Sequence, residues 1–362
     1  MNRGFNLRDL DWVLFLAALT LAVLGIVEVY STTAHTVLAG QYKKQIEWVA
    51  VGAALALVLS QVDYHFVIDN APVLYLLMLM GLVGILLLGR PVDGARRWIN
   101  VGGLTFQVSE LGKLVIILSV AAYFARRKAR SLAFRDLVAL GLLAGIPAGL
   151  VVLEPDLGTA LTFFPAVLAG IYLAGIRLRH LLAVGLAVVL LAPVGWHLLR
   201  PYQRDRLMTF IHPTENTRGS AYQVTQSKIA IGSGGIWGKG LGNGTQSRLG
   251  FIPVSHADFI FAAFAEEQGF VGAVFVLLLY LILLIRLLDD AQMADDRAGV
   301  FLLIGLASVL FFQVAVNVGM MIGFLPITGI PLPLISQGGS SALLIFVGLG
   351  LAMSVRKQRF VN

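Results

Sequence analysis

Ser255-His256-Ala257-Asp258-Phe259-Ile260-Phe261 marks the boundary at which a long polar segment, residues 199 to 258, gives way to an apolar run over 259 to 286. Before Asp258 lie seven cations, Arg200, Arg204, Arg206, Arg218, Lys228, Lys239 and Arg248. After it lies apolar sequence long enough to cross a bilayer core of roughly 30 Å. A connection of this length inside an apolar chain reads as a site rather than a spacer. Its cations suit an anionic, phosphorylated ligand at a membrane surface, and its terminal carboxylate suits proton chemistry beside that ligand.

Outward from this junction the same alternation recurs along the chain. The 362 residues are 58% hydrophobic, 13% charged and free of cysteine, which excludes a packed soluble fold. Disulfides, thiolate catalysis and cysteine-bound metals are excluded with it. Ten apolar runs of spanning length occur, over 11–31, 45–61, 72–89, 107–125, 136–153, 159–176, 180–199, 259–286, 299–322 and 339–355. The expectation is therefore an all-α, polytopic integral membrane protein. It forms one domain over residues 1–362, with a large extracytoplasmic loop, 199–258, between the seventh and eighth spans. The first run follows Arg3 and Arg8 and is too long for a cleaved signal, so it reads as a retained anchor.

Ten spans place both termini on one side, and basic residues identify that side as cytoplasmic. Arg3, Arg8, the Arg126 to Arg135 cluster, Arg177, Arg179, Arg286, Arg297, Arg356, Lys357 and Arg359 fall on it. With the long loop set aside, the count is 14 basic residues against 6 on the outer side. Those six, Lys43, Lys44, Arg90, Arg96, Arg97 and Lys113, run against the orienting bias, which an anionic ligand explains better than topology does. Nucleic acid is not an expected partner.

Four outer connections carry the chemistry, and the parity of the spans puts them on one side, where they can share a cavity. In Gly94-Ala95-Arg96-Arg97-Trp98, the arginines are either interfacial cations beside an aromatic or ligand contacts. Glu110 and Lys113 lie three apart on one helical face at membrane depth, either as a functional pair or as a self-neutralising one. In Glu154-Pro155-Asp156-Leu157-Gly158-Thr159, proline stops one helix and Asp156 either caps the next, holds cations or binds a divalent metal. Residues 222–231 have amphipathic helical spacing, and the glycines of 231–242 let backbone N–H groups approach a phosphate closely. Asp258 is either an N-cap or a general base whose proton affinity burial raises, and His256 is either a relay or structural. The Asn317 to Ser341 stretch, rich in glycine and proline, reads as a broken or re-entrant element.

Together these motifs closely resemble the SEDS family (shape, elongation, division and sporulation). The matching pieces are Gly94 to Trp98, Gln107 to Lys113, Glu154 to Thr159, Gly240 to Gln246, His256 to Phe261 and Gly323 to Ser341, in family order over nearly the whole chain. The short termini match the rod-shape branch rather than the division branch. Val108, Val254 and Gln337 stand where proline, an acid and tyrosine are usual.

The resemblance implies a peptidoglycan glycosyltransferase that polymerises lipid II outside the bacterial cytoplasmic membrane and works with a class B penicillin-binding protein. Asp258 would take the acceptor hydroxyl proton, and Arg96, Arg97, Lys113 and loop cations would stabilise the departing diphosphate. Glu110, Asp156, Lys239, Gln246, His256, Ser336 and Ser340 complete the expected substrate contacts. A Mg or Mn ion is a possible companion, and membrane lipids would flank the grooves between helices. The alternatives are a lipid II flippase, which should place its charges at mid-bilayer or on both faces, and a division-type polymerase.

Overall fold

The computed structural model describes residues 10–34, 36, 38–89, 97–101, 104–127, 132–211, 219–252 and 255–358. In chain order the elements are α1 (Trp12–Thr33), α2 (Gln41–Leu59), α3 (Tyr64–Asp69), α4 (Ala71–Leu88), β1 (Trp98–Val101), β2 (Leu104–Gln107), α5 (Val108–Ala125), α6 (Phe134–Leu153), α7 (Leu157–Leu161) and α8 (Phe164–Leu173). They continue with α9 (Leu178–Leu198), α10 (Pro201–Ile211), α11 (Ser220–Ser233), α12 (Thr245–Arg248), α13 (Ile260–Gln292), α14 (Arg297–Met321) and α15 (Gly339–Gln358). Every apolar run read from the sequence is helical, because a backbone in hydrocarbon must satisfy its own hydrogen bonds. Among the described residues, seven of these helices are long and apolar enough to cross a membrane. The chain is a mostly helical, multi-pass membrane protein.

The structure is mostly helical, consistent with the expected all-α polytopic fold, and adds detail at four places. First, β1 and β2 form an antiparallel hairpin that pairs Trp98 with Gln107 and Val101 with Leu104. Its strands are rich in aromatic and β-branched residues, and Gly102-Gly103 lies between them in the sequence. Second, the run over 159–176 is two helices, α7 and α8, with proline at the start of α8 and Phe163 fully buried at the break. Third, the long loop carries three helices, α10, α11 and α12, of which α11 is the amphipathic one expected. Fourth, α13 breaks at Gly269, where φ is 68° and ψ is −167°.

The core is organised around α5, whose residues are mostly buried and which packs against α4, α6, α8, α14 and α15. A second seam joins α2 to α15, where Gly350 lies directly on the Ala56 backbone and any side chain would collide with it. One end of the bundle is stitched by Asp11, which caps α1 by accepting from Leu14 N–H and pairs with Arg286 and Arg356, each at 2.8 Å. The other end gathers α7, α10 and the irregular 322–338 segment around the turn that precedes α13.

Candidate active site

The turn over 255–259 leads into α13, and its backbone is held from two directions. Asn317 on α14 donates to the Asp258 carbonyl (3.0 Å) and to the Ile330 carbonyl (2.7 Å). Ser336 donates to the Ala257 carbonyl (2.7 Å) and accepts from Leu332 N–H (2.8 Å), while Gln337 N–H donates to the His256 carbonyl (3.0 Å). The non-helical 322–338 segment is tolerated at this depth because its polar groups are satisfied by the turn it supports. These clamps fix the Asp258 Cα, so the side chain has a defined direction.

That direction is into a cavity of about 180 Å³ lined by Arg97, Asp156, Tyr202, Gln203, Arg206, Asp258 and Gly329, with apolar walls from Leu157, Leu161, Leu207 and Ile327. All four chemically dense connections contribute to it. A Cβ built on Gly329 would lie 3.3 Å from both Arg206 Nη1 and Asp258 Oδ2, so this glycine, at φ +73°, is what lets cation and carboxylate approach one space. The Asp258 carboxylate makes no hydrogen bond and no ion pair among the described residues. The helix N-cap is Phe259, so the capping alternative for Asp258 does not hold. Burial raises the Asp258 pKa above its ordinary value; Arg206 and Arg97 oppose that shift and Asp156 adds to it.

Around this free carboxylate the other groups are committed. Asp156 caps α7 by accepting from Thr159 N–H (3.0 Å) and Thr159 Oγ1 (2.9 Å), accepts from Gln107 Nε2 (3.1 Å), and lies 3.6 Å from Arg97 Nη1. Arg97 in turn donates to the carbonyls of Glu154 (2.9 Å) and Pro155, which aims its remaining guanidinium edge at the cavity. Arg206 stacks over Tyr202 with 5.8 Å to the ring centroid, and Tyr202 donates to the Pro155 carbonyl at 2.9 Å. Glu154 is buried with neither carboxylate oxygen hydrogen-bonded, and desolvation beside Asp156 pushes its pKa up to about 8. Burial lowers the pKa of His256, which keeps it neutral, and it does not line the cavity.

Several residues named from the sequence lie elsewhere. Glu110 and Lys113 form the expected i,i+3 pair at 2.6 Å, but in a separate, mostly apolar pocket with Leu114, Gln313 and Ser341. Lys239 is spent on Glu266 (2.6 Å) and Thr245 (2.8 Å), and Gln246 N–H donates to Glu266 at 3.1 Å. In the glycine-rich 231–242 segment the backbone packs on α13: Lys239 and Gly240 N–H groups donate to the carbonyls of Glu266 and Glu267, and Phe270 N–H donates to the Gly235 carbonyl. Glycine is needed there because a Cβ at Gly238 would lie 2.1 Å from the Glu267 carbonyl oxygen. Ser336 positions the turn, and Ser340 is buried on the first turn of α15. Arg96 lies outside the described residues.

Three residues gain individual roles in the structure. Arg206 is one of seven loop cations in the sequence, and its i,i+4 spacing from Tyr202 puts both on one face of α10. Asn317 and Glu266 carried a weaker signal, as polar groups inside apolar runs.

No group of three or more histidine, aspartate or glutamate side chains suited to a metal occurs among the described residues. What the arrangement offers is one uncommitted carboxylate of raised basicity beside two guanidinium groups. It can accept a proton while negative charge accumulates nearby.

Known proteins share this architecture. The profile of a family described as cell cycle protein, FtsW/RodA/SpoVE, matches residues 11–360. The chain is 38% identical over 354 residues to the peptidoglycan glycosyltransferase MrdB of Escherichia coli (strain K12), covering 97% of this chain and 94% of that one. It is 32% identical over 429 residues to the peptidoglycan glycosyltransferase RodA of Treponema pallidum (strain Nichols), covering 98% and 99%. Among solved structures, a chain of a peptidoglycan synthase complex that coordinates polymerization and crosslinking superposes with a TM-score of 0.82 at 34% identity, over 98% of this chain and 99% of that one. The rod shape determining protein RodA of Thermus thermophilus gives 0.72 at 31% identity, over 98% of each chain. This chain therefore belongs to the FtsW/RodA/SpoVE family of cell cycle proteins, the SEDS family.

Proposed function

We propose that this protein is the peptidoglycan glycosyltransferase of cell elongation, polymerising lipid II into glycan strands at the outer face of the bacterial cytoplasmic membrane. The observation that carries the reading is the convergence of four connections, distant in sequence, on the free carboxylate of Asp258 with Arg97 and Arg206 beside it. In this mechanism the acceptor sugar hydroxyl passes its proton to Asp258 as its oxygen bonds to the anomeric carbon of the donor. The bond from that carbon to the diphosphate breaks on the opposite face, with inversion, and undecaprenyl diphosphate departs with the electron pair. Arg97 and Arg206 stabilise the charge that develops on it. Of Arg96, Arg97, Lys113 and the loop cations, to which the family resemblance gives this role, Arg97 and the loop cation Arg206 line the cavity.

A Mg²⁺ or Mn²⁺ ion fits only as a companion of the diphosphate. Asp156 has its oxygens engaged, so among the described residues lining the cavity Asp258 is the carboxylate that would hold such an ion. It would supply charge neutralisation.

The reading also includes ten spans with cytoplasmic termini, supported by the short-loop charge bias. A class B penicillin-binding protein is its partner in crosslinking, supported by the complex in which a similar chain occurs. The test is polymerisation by the purified full-length protein, with its transpeptidase, on lipid II in nanodiscs. Asp258→Asn keeps the side chain's size but cannot accept the proton, so product formation should fall by about 10²-fold or more with an unchanged melting temperature. Near-normal polymerisation by the folded variant would remove Asp258 from the mechanism. Movement of lipid II across the membrane without any polymer from the unmutated protein would make it a transporter.

A further inference from the structure

The largest cavity described lies far from Asp258. It measures about 730 Å³ and opens between α4, α5 and α6. α5 begins beside Asp156, through Gln107, and ends at this second cavity; its 18 residues separate the two by ~27 Å along the helix axis. Under the topology proposed above this is the cytoplasmic face. The mouth carries three arginines, Arg126, Arg127 and Arg135, while Ala139 and Leu143 form apolar walls deeper between the helices.

The charges at that mouth are unevenly neutralised. Arg127 is paired with Asp136, which is buried and also accepts from Tyr123 Oη at 2.7 Å. This pair and the Arg297 bond to the Arg127 carbonyl (2.9 Å) anchor the end of α5. Among the described residues Arg126 has one ion-pair contact, a loose one of 3.8 Å with Asp69, and both side chains are largely exposed. Arg135 makes no ion pair among the described residues. Two guanidinium groups thus face one opening with a single weak counter-charge between them, above walls that favour hydrocarbon. A free metabolite would use the arginines and leave the walls bare. An amphiphile uses both, and a basic pocket between membrane helices on the cytoplasmic side has the chemistry of an anionic lipid site.

We propose that the cavity between α4, α5 and α6 binds an anionic phospholipid of the inner leaflet, with its phosphate held by Arg126 and Arg135 and an acyl chain against Ala139 and Leu143. The site is separate from the Asp258 cavity, and lipid II is not its ligand. Bound there, the lipid would brace the α5 to α6 connection from the membrane side.

The experiment uses full-length protein in mild detergent, with native mass spectrometry to read lipid retained from defined mixtures of phosphatidylglycerol and phosphatidylcholine. Wild type should retain phosphatidylglycerol in preference to phosphatidylcholine. The Arg126→Ala/Arg135→Ala double variant should lose about 10-fold in phosphatidylglycerol affinity, the scale of one or two charge-assisted contacts. Arg126→Lys/Arg135→Lys should retain part of the binding. Ala139→Trp, which fills the apolar part and keeps both arginines, should lose the lipid as well. Equal retention of the two lipids by wild type would overturn the proposal, as would unchanged phosphatidylglycerol binding in the double-alanine variant. So would thermal stabilisation by inorganic phosphate that survives Ala139→Trp and disappears in the double-alanine variant, because that pattern describes a free-phosphate site. A melting temperature for each variant within a few degrees of wild type establishes that the lost binding is local.

Discussion

At the scale of single residues, burial acts on two carboxylates beside one cavity with opposite consequences. Asp258 faces the cavity and can exchange its proton with a substrate, whereas the Glu154 carboxylate is enclosed and has no hydrogen-bond partner among the described residues. The Glu154 carboxyl titrates at about 8 in the folded protein against 4.5 ordinarily, so between those pH values the native state holds a proton that the unfolded chain has released. Stability must therefore fall as pH climbs through that interval. Glu154→Gln mimics the protonated form. Its melting temperature should match wild type below pH 4.5 and exceed it by a growing margin up to pH 8, as measured by thermal shift in detergent. A constant difference across that range would show that Glu154 is not the group responsible. The sequence exposed both acids, each at the end of an apolar run, but could not say which one would be enclosed. That depends on Arg97 spending its donors on the Glu154 and Pro155 carbonyls.

At the scale of elements, the glycine-rich segment and the break in α13 are one structure. Gly269 takes its left-handed φ where the chain of 234–240 passes over it, and a Cβ there would lie 2.3 Å from the Gly238 nitrogen. Glu266, fully buried just before the break, gathers Lys239, Thr245 and Gln246 N–H into one network. Removing the cation leaves that carboxylate desolvated and short of its main partner. Lys239→Ala should cost about 3 kcal/mol of stability, and adding Glu266→Gln should recover much of it, a coupling that a double-mutant cycle by denaturant unfolding reads directly. Additive losses would mean that the two residues act independently. Hydropathy shows α13 as one unbroken run because it sums side chains and is blind to the sign of φ. The glycines were legible in the sequence; their task was not, since close backbone approach and phosphate cradling ask for the same residue.

At the scale of the whole molecule, the charged groups sort to the two ends of the bundle. Asp11, Arg286, Arg356 and Asp290 tie one end, and the Asp258 cavity occupies the other. If the charge bias orients the chain, Trp237, which is 80% exposed in the glycine-rich segment, faces outward and Asp295 faces the cytoplasm. In this cysteine-free chain, Trp237→Cys should react with a membrane-impermeant thiol reagent in intact spheroplasts, and Asp295→Cys only after lysis. The reverse pattern would turn the molecule over and place the proposed lipid site in the outer leaflet.

The sequence by itself determined that the apolar runs are helical and the order of the motifs that identify the family. Apolar runs of spanning length have no other way to satisfy their backbones in lipid, and that constraint is local. It also singled out Asp258, whose position between a basic polar segment and an apolar run is a property of the linear chain. Only the tertiary structure decided which cations share a cavity with it. Arg206 and Asp258 share one cavity beside the Gly329 turn, while Lys113 pairs with Glu110 in a separate pocket and Lys239 is captured by Glu266, 27 positions further on. A charge counted along the chain has no direction; packing supplies it, by enclosing some partners together and leaving the cavity-facing Asp258 carboxylate without a hydrogen bond or ion pair among the described residues.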